Sequence, residues 1–265
     1  MRQLLNTNRA LPKKSLGQNF IINDNFLLKM NSHIDSSQNN IIIEIGPGKG
    51  ALTEYLAKKN FKKLFLIEKD NYLAGQLKLK YEKIKNIYII NDDALKFDYN
   101  IFKNIKEKVI LYGNLPFNIS TKLLTKWIAD NEWPSFFDKM ILMFQKEVAE
   151  RIVANHNNKK FGRLSVLVQS RCDVKKILDA PSSIFSPKPK VDGAVVQLEP
   201  INNYCNVNFN NLETLLERSF SSRRKKIKNT LSKHKKLLTE LGIDENLRPE
   251  NLSVSNYCNL AKLID

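Results

Sequence analysis

The stretch Ile41-Ile42-Ile43-Glu44-Ile45-Gly46-Pro47-Gly48-Lys49-Gly50 constrains this chain more than any other. A short run of branched apolar residues marks a strand buried on both faces, as in parallel sheets covered by helices. Ile41 to Ile45 is such a run. It passes directly into glycines, and Leu52, Tyr55 and Leu56 then recur at helical spacing. Glycines between a strand and a helix let the backbone turn tightly and approach a ligand at the helix N-terminus. A plain glycine-rich turn is the competing explanation. Gly46, Gly48 and Ala51 satisfy the G-x-G-x-x-A dinucleotide pattern. Gly46, Gly48 and Gly50, with Glu44 ahead, equally satisfy a G-x-G-x-G pattern of adenosylmethionine-dependent methyltransferases.

The strand-then-helix rhythm repeats. Further strands are expected at Leu64–Ile67, Ile87–Ile90, Val109–Tyr112, Met140–Phe144, Val174–Leu178 and Ala194–Leu198, with helical patterns between most of them. This alternation implies an α/β fold with a largely parallel, doubly wound sheet. Ligands of such sheets bind at the carboxyl ends of the strands. Three strand ends carry polar chemistry. Glu68 lies about 20 residues beyond the glycines, where an acid can accept ribose hydroxyls. Asp92 or Asp93 can take an adenine amine or cap the following turn. Gly113-Asn114-Leu115-Pro116-Phe117 brings an amide, a stiff turn and an aromatic ring to one place, although Asn, Gly and Pro also make ordinary turns.

Local signals predict several details. Asp24 is expected to cap a helix carrying Leu27, Met30 and Ile34, and Ser120 a helix carrying Leu123, Leu124 and Trp127. Ser15 to Asn23 reads as a segment laid over another surface. Leu164, Leu167 and Val168 fit a helix better than a strand, and His156 falls in a surface loop. Phe185-Ser186-Pro187-Lys188-Pro189-Lys190 reads as a loop throughout, because two prolines exclude a helix or central strand.

The pattern changes after Pro200. An asparagine-rich linker from Asn202 to Asn211 leads into purely helical periodicity, with Leu212, Leu215, Leu216 and Phe220 on one face. Gly242 is a helix stop, and Ser253 caps a last helix with Leu252 and Tyr257 as a hydrophobic staple. Two domains are expected, residues 1–202 and a small, basic, all-helical 203–265. Lys and Arg number 43 against 27 Asp and Glu, a formal charge of +16. That excess favours a polyanion such as nucleic acid or an anionic membrane surface. Arg223, Arg224, Lys225 and Lys226, with Lys188 and Lys190, are candidate RNA contacts, although such runs are often only a solvated face. Arg2, Arg9, Lys13 and Lys14 precede no apolar core of a secretory signal, and no run suits a membrane helix. Cys172, Cys205 and Cys258 are odd in number and widely spaced, so neither zinc nor a disulfide is expected, in keeping with a reducing cytoplasm.

Taken together, these motifs resemble the ribosomal RNA adenine dimethyltransferase family, in its bacterial small-subunit branch. The resemblance runs from Gly17-Gln18-Asn19-Phe20 through Glu44–Gly50, Glu68, Asp93 and Asn114–Phe117. It continues through Gln145–Val148, Phe161–Ser165, Phe185–Val191, Phe220–Lys225 and Glu250–Ser253, and so covers nearly the whole chain. Phe117 stands where the family often has Tyr, and Gly193 where Ser is commoner. The resemblance implies S-adenosylmethionine as cofactor, held at Asn19, Ile21, Gly46, Glu68, Asp93 and Asn114, with no metal. Glu68 is assigned to the ribose and Asp93 to the adenine. It implies 16S rRNA within an immature 30S subunit as substrate, a Rossmann-like methyltransferase domain, a monomer and a cytoplasmic location. Asn114 and the Leu115 carbonyl would receive the N–H groups of a target adenine amine, Pro116 would fix the turn and Phe117 would stack on the base. Tyr112 could face the cofactor's sulfonium. Methylation of 23S rRNA, an RNA-binding assembly factor, and a nicotinamide dehydrogenase resting on Gly46 to Ala51 are the alternatives.

Overall fold

The computed structural model describes residues 17–129, 133–202 and 204–264. Arg2, Arg9, Lys13 and Lys14, together with Ser15 and Leu16 of the first motif and Asn203 of the linker, lie outside them. Seven strands form one sheet: β1 Asn40–Ile45, β2 Lys63–Ile67, β3 Ile87–Ile90, β4 Lys108–Asn114, β5 Lys139–Gln145, β6 Cys172–Ala180 and β7 Gly193–Pro200. Their order is β3-β2-β1-β4-β5-β7-β6. The first five pair in parallel, whereas β7 runs antiparallel to both β5 and β6. The order reverses between β1 and β4, which is the switch point where open sheets bind ligands. All seven expected strands are present, and the fold is of the Rossmann-like methyltransferase kind.

Helices α1 Asp24–Ser32, α2 Ala51–Leu56, α3 Asn71–Tyr81, α4 Ser120–Ile128, α5 Lys146–Ile152 and α6 Arg163–Gln169 cover the sheet. Strand alternation sends side chains to two separate cores. Ile41, Ile43 and Ile45 of β1 join Val109 and Leu111 of β4 in one cluster with α4 and α6. Ile42 joins Ile110 and Tyr112 in the other, with α1, α2 and α3. The helices beyond the linker are α7 Phe209–Phe220, α8 Ile227–Thr230, α9 Lys235–Glu240 and α10 Val254–Lys262. Their apolar residues, among them Leu212, Leu216, Tyr257 and Leu260, belong to the same cluster as the sheet's α4/α6 face. The helical region therefore shares its core with the sheet.

Buried Arg171 reinforces that junction. Its guanidinium lies 5.0 Å from the Trp133 ring and 4.7 Å from the Phe209 ring, and donates to the Ile128 carbonyl at 2.6 Å. No helix among the described residues is long and apolar enough to cross a membrane.

Several local expectations are corrected. Asn23, not Asp24, caps α1 by accepting the Phe26 N–H at 2.8 Å. Ser120 lies inside α4, where its hydroxyl donates back to the Phe117 carbonyl, and the cap position is Ile119. Both errors are one-residue shifts between neighbouring candidates. Phe185–Ser186 is not loop but half of a two-residue ribbon, antiparallel to Phe20–Ile21. The prolines following Ser186 do not prevent this, because the pairing ends before them. Cys205 and Cys258 form a disulfide, contrary to expectation. They are 53 residues apart in sequence, and only the packing of α10 beside the linker brings their Cα atoms to 5.7 Å. Cys172 is free and buried.

Candidate active site

The glycine loop turns where β1 ends. Gly46, Gly48 and Gly50 all have positive φ, at 65°, 59° and 81°. Gly48 has a second reason to lack a side chain, since a Cβ there would come 2.9 Å from the Phe20 ring. The backbone is thus tied closely under the segment Gly17–Ile22, which lies across the strand ends as a strap.

Glu68 follows β2 and is buried. Its two carboxylate oxygens accept the Gly48 N–H at 2.9 Å and the Asp70 N–H at 2.8 Å. Burial raises its pKa, and those two N–H groups oppose the rise. Each oxygen retains a lone pair for a further donor. Asp93 sits after β3, where Lys69 Nζ donates to one oxygen at 2.8 Å and the Leu95 N–H to the other at 3.0 Å. The Lys69 ammonium holds its pKa below the ordinary carboxylate range. Asp93 starts the turn, as one of the two readings expects, and also lines the cleft.

Asn114 ends β4. Its Nδ2 donates to the main-chain carbonyl of Asn19 in the strap at 2.9 Å. Leu115 sends its side chain into the core, so its backbone is what it offers to the cleft. The Pro116 carbonyl accepts the N–H groups of Ile119 and Ser120, closing the turn into α4. Phe117 is half-buried at the rim.

These parts line one open cleft. Asn19, Ile21, Gly46, Glu68, Asp93, Asn114, Leu115, Pro116 and Phe117 all line it. These nine residues, expected at the cofactor and acceptor site, are therefore gathered at one sheet edge. Tyr112 is corrected: it is fully buried on the α2 side, does not line the cleft, and cannot offer its ring to a ligand there. Its ring packs with Ile42 and Ile110 in the core beneath α1, α2 and α3.

Sequence reasoning gave no individual role to several cleft residues. Gln18, Phe20 and Lys49 line it, with Lys49 Nζ 4.8 Å from the centre of the Phe20 ring. Gln18 Nε2 reaches Asp70 at 3.4 Å. Only the Gly-Gln-Asn-Phe grouping ahead of α1 hinted at these contacts. Glu44 was noticed merely as the acid before the glycines. It is buried beneath them and accepts the Thr53 hydroxyl at 2.7 Å, which ties β1 to the first turn of α2. Burial pushes its pKa up to about 8, partly opposed by the Thr53 hydrogen bond.

That shift has a definite sign. The folded Glu44 holds a proton that the unfolded chain releases near its ordinary pKa of 4.5. Its contribution is full below that value and is lost as pH rises to about 8. Glu44→Gln cannot titrate. Wild type is expected to lose roughly 2–4 kcal/mol of stability relative to Glu44→Gln between about pH 5 and 8.5, by urea unfolding.

The candidate RNA residues are elsewhere. Lys188 and Lys190 are exposed on the loop after the ribbon. This loop ends beside the tip of β5, where the Lys146 N–H donates to the Asp192 carbonyl. Arg223 donates to the carbonyls of Lys159 and Phe161 and to Glu250, so its guanidinium clamps two chain segments. Arg224 and Lys225 are exposed, and Lys226 Nζ reaches Asn246 at 3.2 Å. None of the six lines the cleft.

A family model described as ribosomal RNA adenine dimethylase matches residues 9–265. Ribosomal RNA small subunit methyltransferase A of Pelagibacter ubique is 44% identical over 255 residues, covering 94% of this chain and 95% of that protein. The protein of that name from Francisella tularensis subsp. novicida is 40% identical over 261 residues, covering 95% and 97%. A dimethyladenosine transferase from Plasmodium falciparum has a TM-score of 0.73 at 29% identity, covering 91% of this chain and 95% of that structure. The 23S rRNA methyltransferase ErmE shares the fold, with a TM-score of 0.70 at 20% identity and coverage of 92% and 98%. On the match along almost its whole length, this chain belongs to the ribosomal RNA adenine dimethylase family.

Proposed function

We propose that this methyltransferase uses S-adenosylmethionine to dimethylate the exocyclic amines of two adjacent adenines in the 3′-terminal hairpin of 16S rRNA. The substrate would be an immature 30S subunit in the cytoplasm, and the enzyme a monomer. Residues 1–202 would carry the chemistry and residues 203–265 much of the RNA contact. The observation that carries this reading is the convergence of the glycine loop, Glu68, Asp93 and Asn114–Phe117 on one cleft.

The cleft fits the adenosyl group. Gly46 and Gly48 present backbone to the cleft, and Glu68 keeps lone pairs for the two ribose hydroxyls. Asp93 retains acceptor capacity for the adenine amine, and Asn19 and Ile21 cover the site from the strap. When bound, the cofactor supplies a methyl group already activated by a sulfonium.

The chain's own task is to prepare the acceptor. An adenine amine is a poor nucleophile because its lone pair is delocalised into the ring. Asn114 Oδ1 and the Leu115 carbonyl would accept its two N–H groups and favour a pyramidal nitrogen with its lone pair aimed at the methyl group. Phe117 would stack on the flipped base, a contact worth about 1–3 kcal/mol. Holding amine and methyl in line supplies much of the rate.

Incubation with immature 30S particles and separately with 23S rRNA, followed by nucleoside mass analysis, tests the proposal. Dimethyladenosine in 16S rRNA is expected. Activity confined to 23S rRNA, or 30S binding without methyl transfer, would overturn it.

The basic residues divide into two kinds. Arg224→Ala and Lys225→Ala are expected to leave stability unchanged and to weaken 30S binding. Each should reduce the slope of log affinity against log salt by about one. Arg223→Ala should instead lower the unfolding free energy by about 1–3 kcal/mol, since it leaves Lys159, Phe161 and Glu250 without their donor.

A further inference from the structure

We infer that the strap Gly17–Ile22 is a positioning element of the acceptor half of the site. Its Asn19 main-chain carbonyl holds the Asn114 amide in the one orientation that turns oxygen towards the cleft. The inference rests on the proposed role of Asn114 as acceptor for the amine.

An asparagine amide has two ends of nearly equal shape and opposite hydrogen-bonding character. With the amide flipped, Asn114 would confront the target amine with more N–H groups and accept nothing. A main-chain carbonyl can only accept, so the end of Asn114 that meets Asn19 must be the nitrogen. The separation is 2.9 Å. The oxygen is then the free end of an amide on a residue that lines the cleft. Chemistry, rather than the shape of the pocket, thus selects the rotamer.

The strap is anchored well enough to act as a reference. Phe20–Ile21 pairs with Phe185–Ser186, and the Ile22 N–H donates to the Ile184 carbonyl at 2.8 Å. At its other end, Gly17 has a φ of 64°, and a Cβ there would meet Asn118 Oδ1 at 2.9 Å. The strap is therefore held on both sides of the key carbonyl, against the turn carrying Asn114 on one side and by the ribbon on the other. Asn19 Nδ2 also donates to the Gly17 carbonyl at 3.2 Å, which stiffens the bend between them. The same ribbon leads into the loop bearing Lys188 and Lys190, so the amide is referenced to a segment next to the proposed RNA path.

Two variants of the full-length protein test this. Amide exchange of Phe20, Ile21 and Ile22 is measured by mass spectrometry, and methyl transfer is followed against pH. In Asn114→Ala the strap loses its partner, and its exchange is expected to quicken about tenfold. Asn114→Asp keeps the shape but turns a carboxylate oxygen on the Asn19 carbonyl. Near neutral pH the strap should exchange faster still, and kcat should fall at least about a hundredfold. As pH is lowered, the acid gains a proton that it can donate to Asn19, again leaving a carbonyl oxygen towards the amine. The kcat of Asn114→Asp relative to wild type should therefore rise, a change that a purely structural role would not produce. Unchanged strap exchange in both variants, or an Asn114→Asp profile parallel to wild type, would overturn the inference. Should wild type methylate no rRNA, the proposed function fails, while the exchange measurements still decide whether Asn19 holds the amide.

Discussion

Asn114→Ala is expected to reduce methyl transfer to the proposed 30S substrate by about 10²–10³-fold, the usual effect of removing one preorganised hydrogen-bonding group from a transition state. The loss should appear in kcat, with the KM for RNA within a few-fold of wild type. The acceptor oxygen matters most as the amine nitrogen becomes pyramidal, so its removal is felt more in the transition state than in the bound complex. Binding of 30S particles should persist, because the exposed basic residues lie outside the cleft. Single-turnover rates together with a filter-binding affinity for the same particles would check both halves. An unaffected single-turnover rate would remove Asn114 from the acceptor role, and loss of 30S binding would show that it does not act on chemistry alone.

Gly113→Ala, one residue earlier, should have the largest effect on stability. A Cβ at Gly113 would lie 2.6 Å from the Ile45 carbonyl oxygen and 3.3 Å from the Ile45 nitrogen. Both are backbone atoms of the neighbouring central strand and cannot swing aside as a side chain can. β1 and β4 would have to part just where the cleft begins, with buried Ile45 and Leu111 on the same face of the sheet. A loss of about 3 kcal/mol is expected from urea unfolding, at the upper end of overpacked core substitutions because the clash is with backbone. Gly75→Ala is the matching control, because a Cβ there meets nothing within 4 Å. Equal behaviour of the two variants would show that the sheet can open at Gly113 at little cost.

Much of this arrangement was legible in the chain. Ile41–Ile45, Leu64–Ile67 and Val109–Tyr112 read as buried strands because a strand covered on both faces has little polar side to present. Glu68, Asp93 and Asn114 stood out because each is a polar group at the end of such a strand. The paired strap was harder to see. Phe20–Ile21 and Phe185–Ser186 form a ribbon of two residues a side, too short for any periodic pattern. Tyr112 was misplaced because an aromatic next to Gly-Asn-Leu-Pro suggests a ligand, whereas its ring is buried with Ile42 and Ile110 in the core beneath α1, α2 and α3. Arg223 carries the same charge as Arg224, and only the carbonyls of Lys159 and Phe161 reveal it as a clamp.

By itself, the sequence determined the elements and their chemistry: seven strands, the glycine turn, three polar strand ends and a basic helical tail. These follow from local rules of periodicity, glycine geometry and charge, which act within about 20 residues of the chain. Only the tertiary structure decided which way those groups face and what they touch. It put β7 antiparallel between β5 and β6, joined Cys205 to Cys258, buried Glu44 under Thr53, and set the Asn19 carbonyl against Asn114. Those outcomes depend on contacts between segments up to 95 residues apart. A hydrogen bond of a few ångströms between such segments leaves no spacing in the sequence from which it can be read.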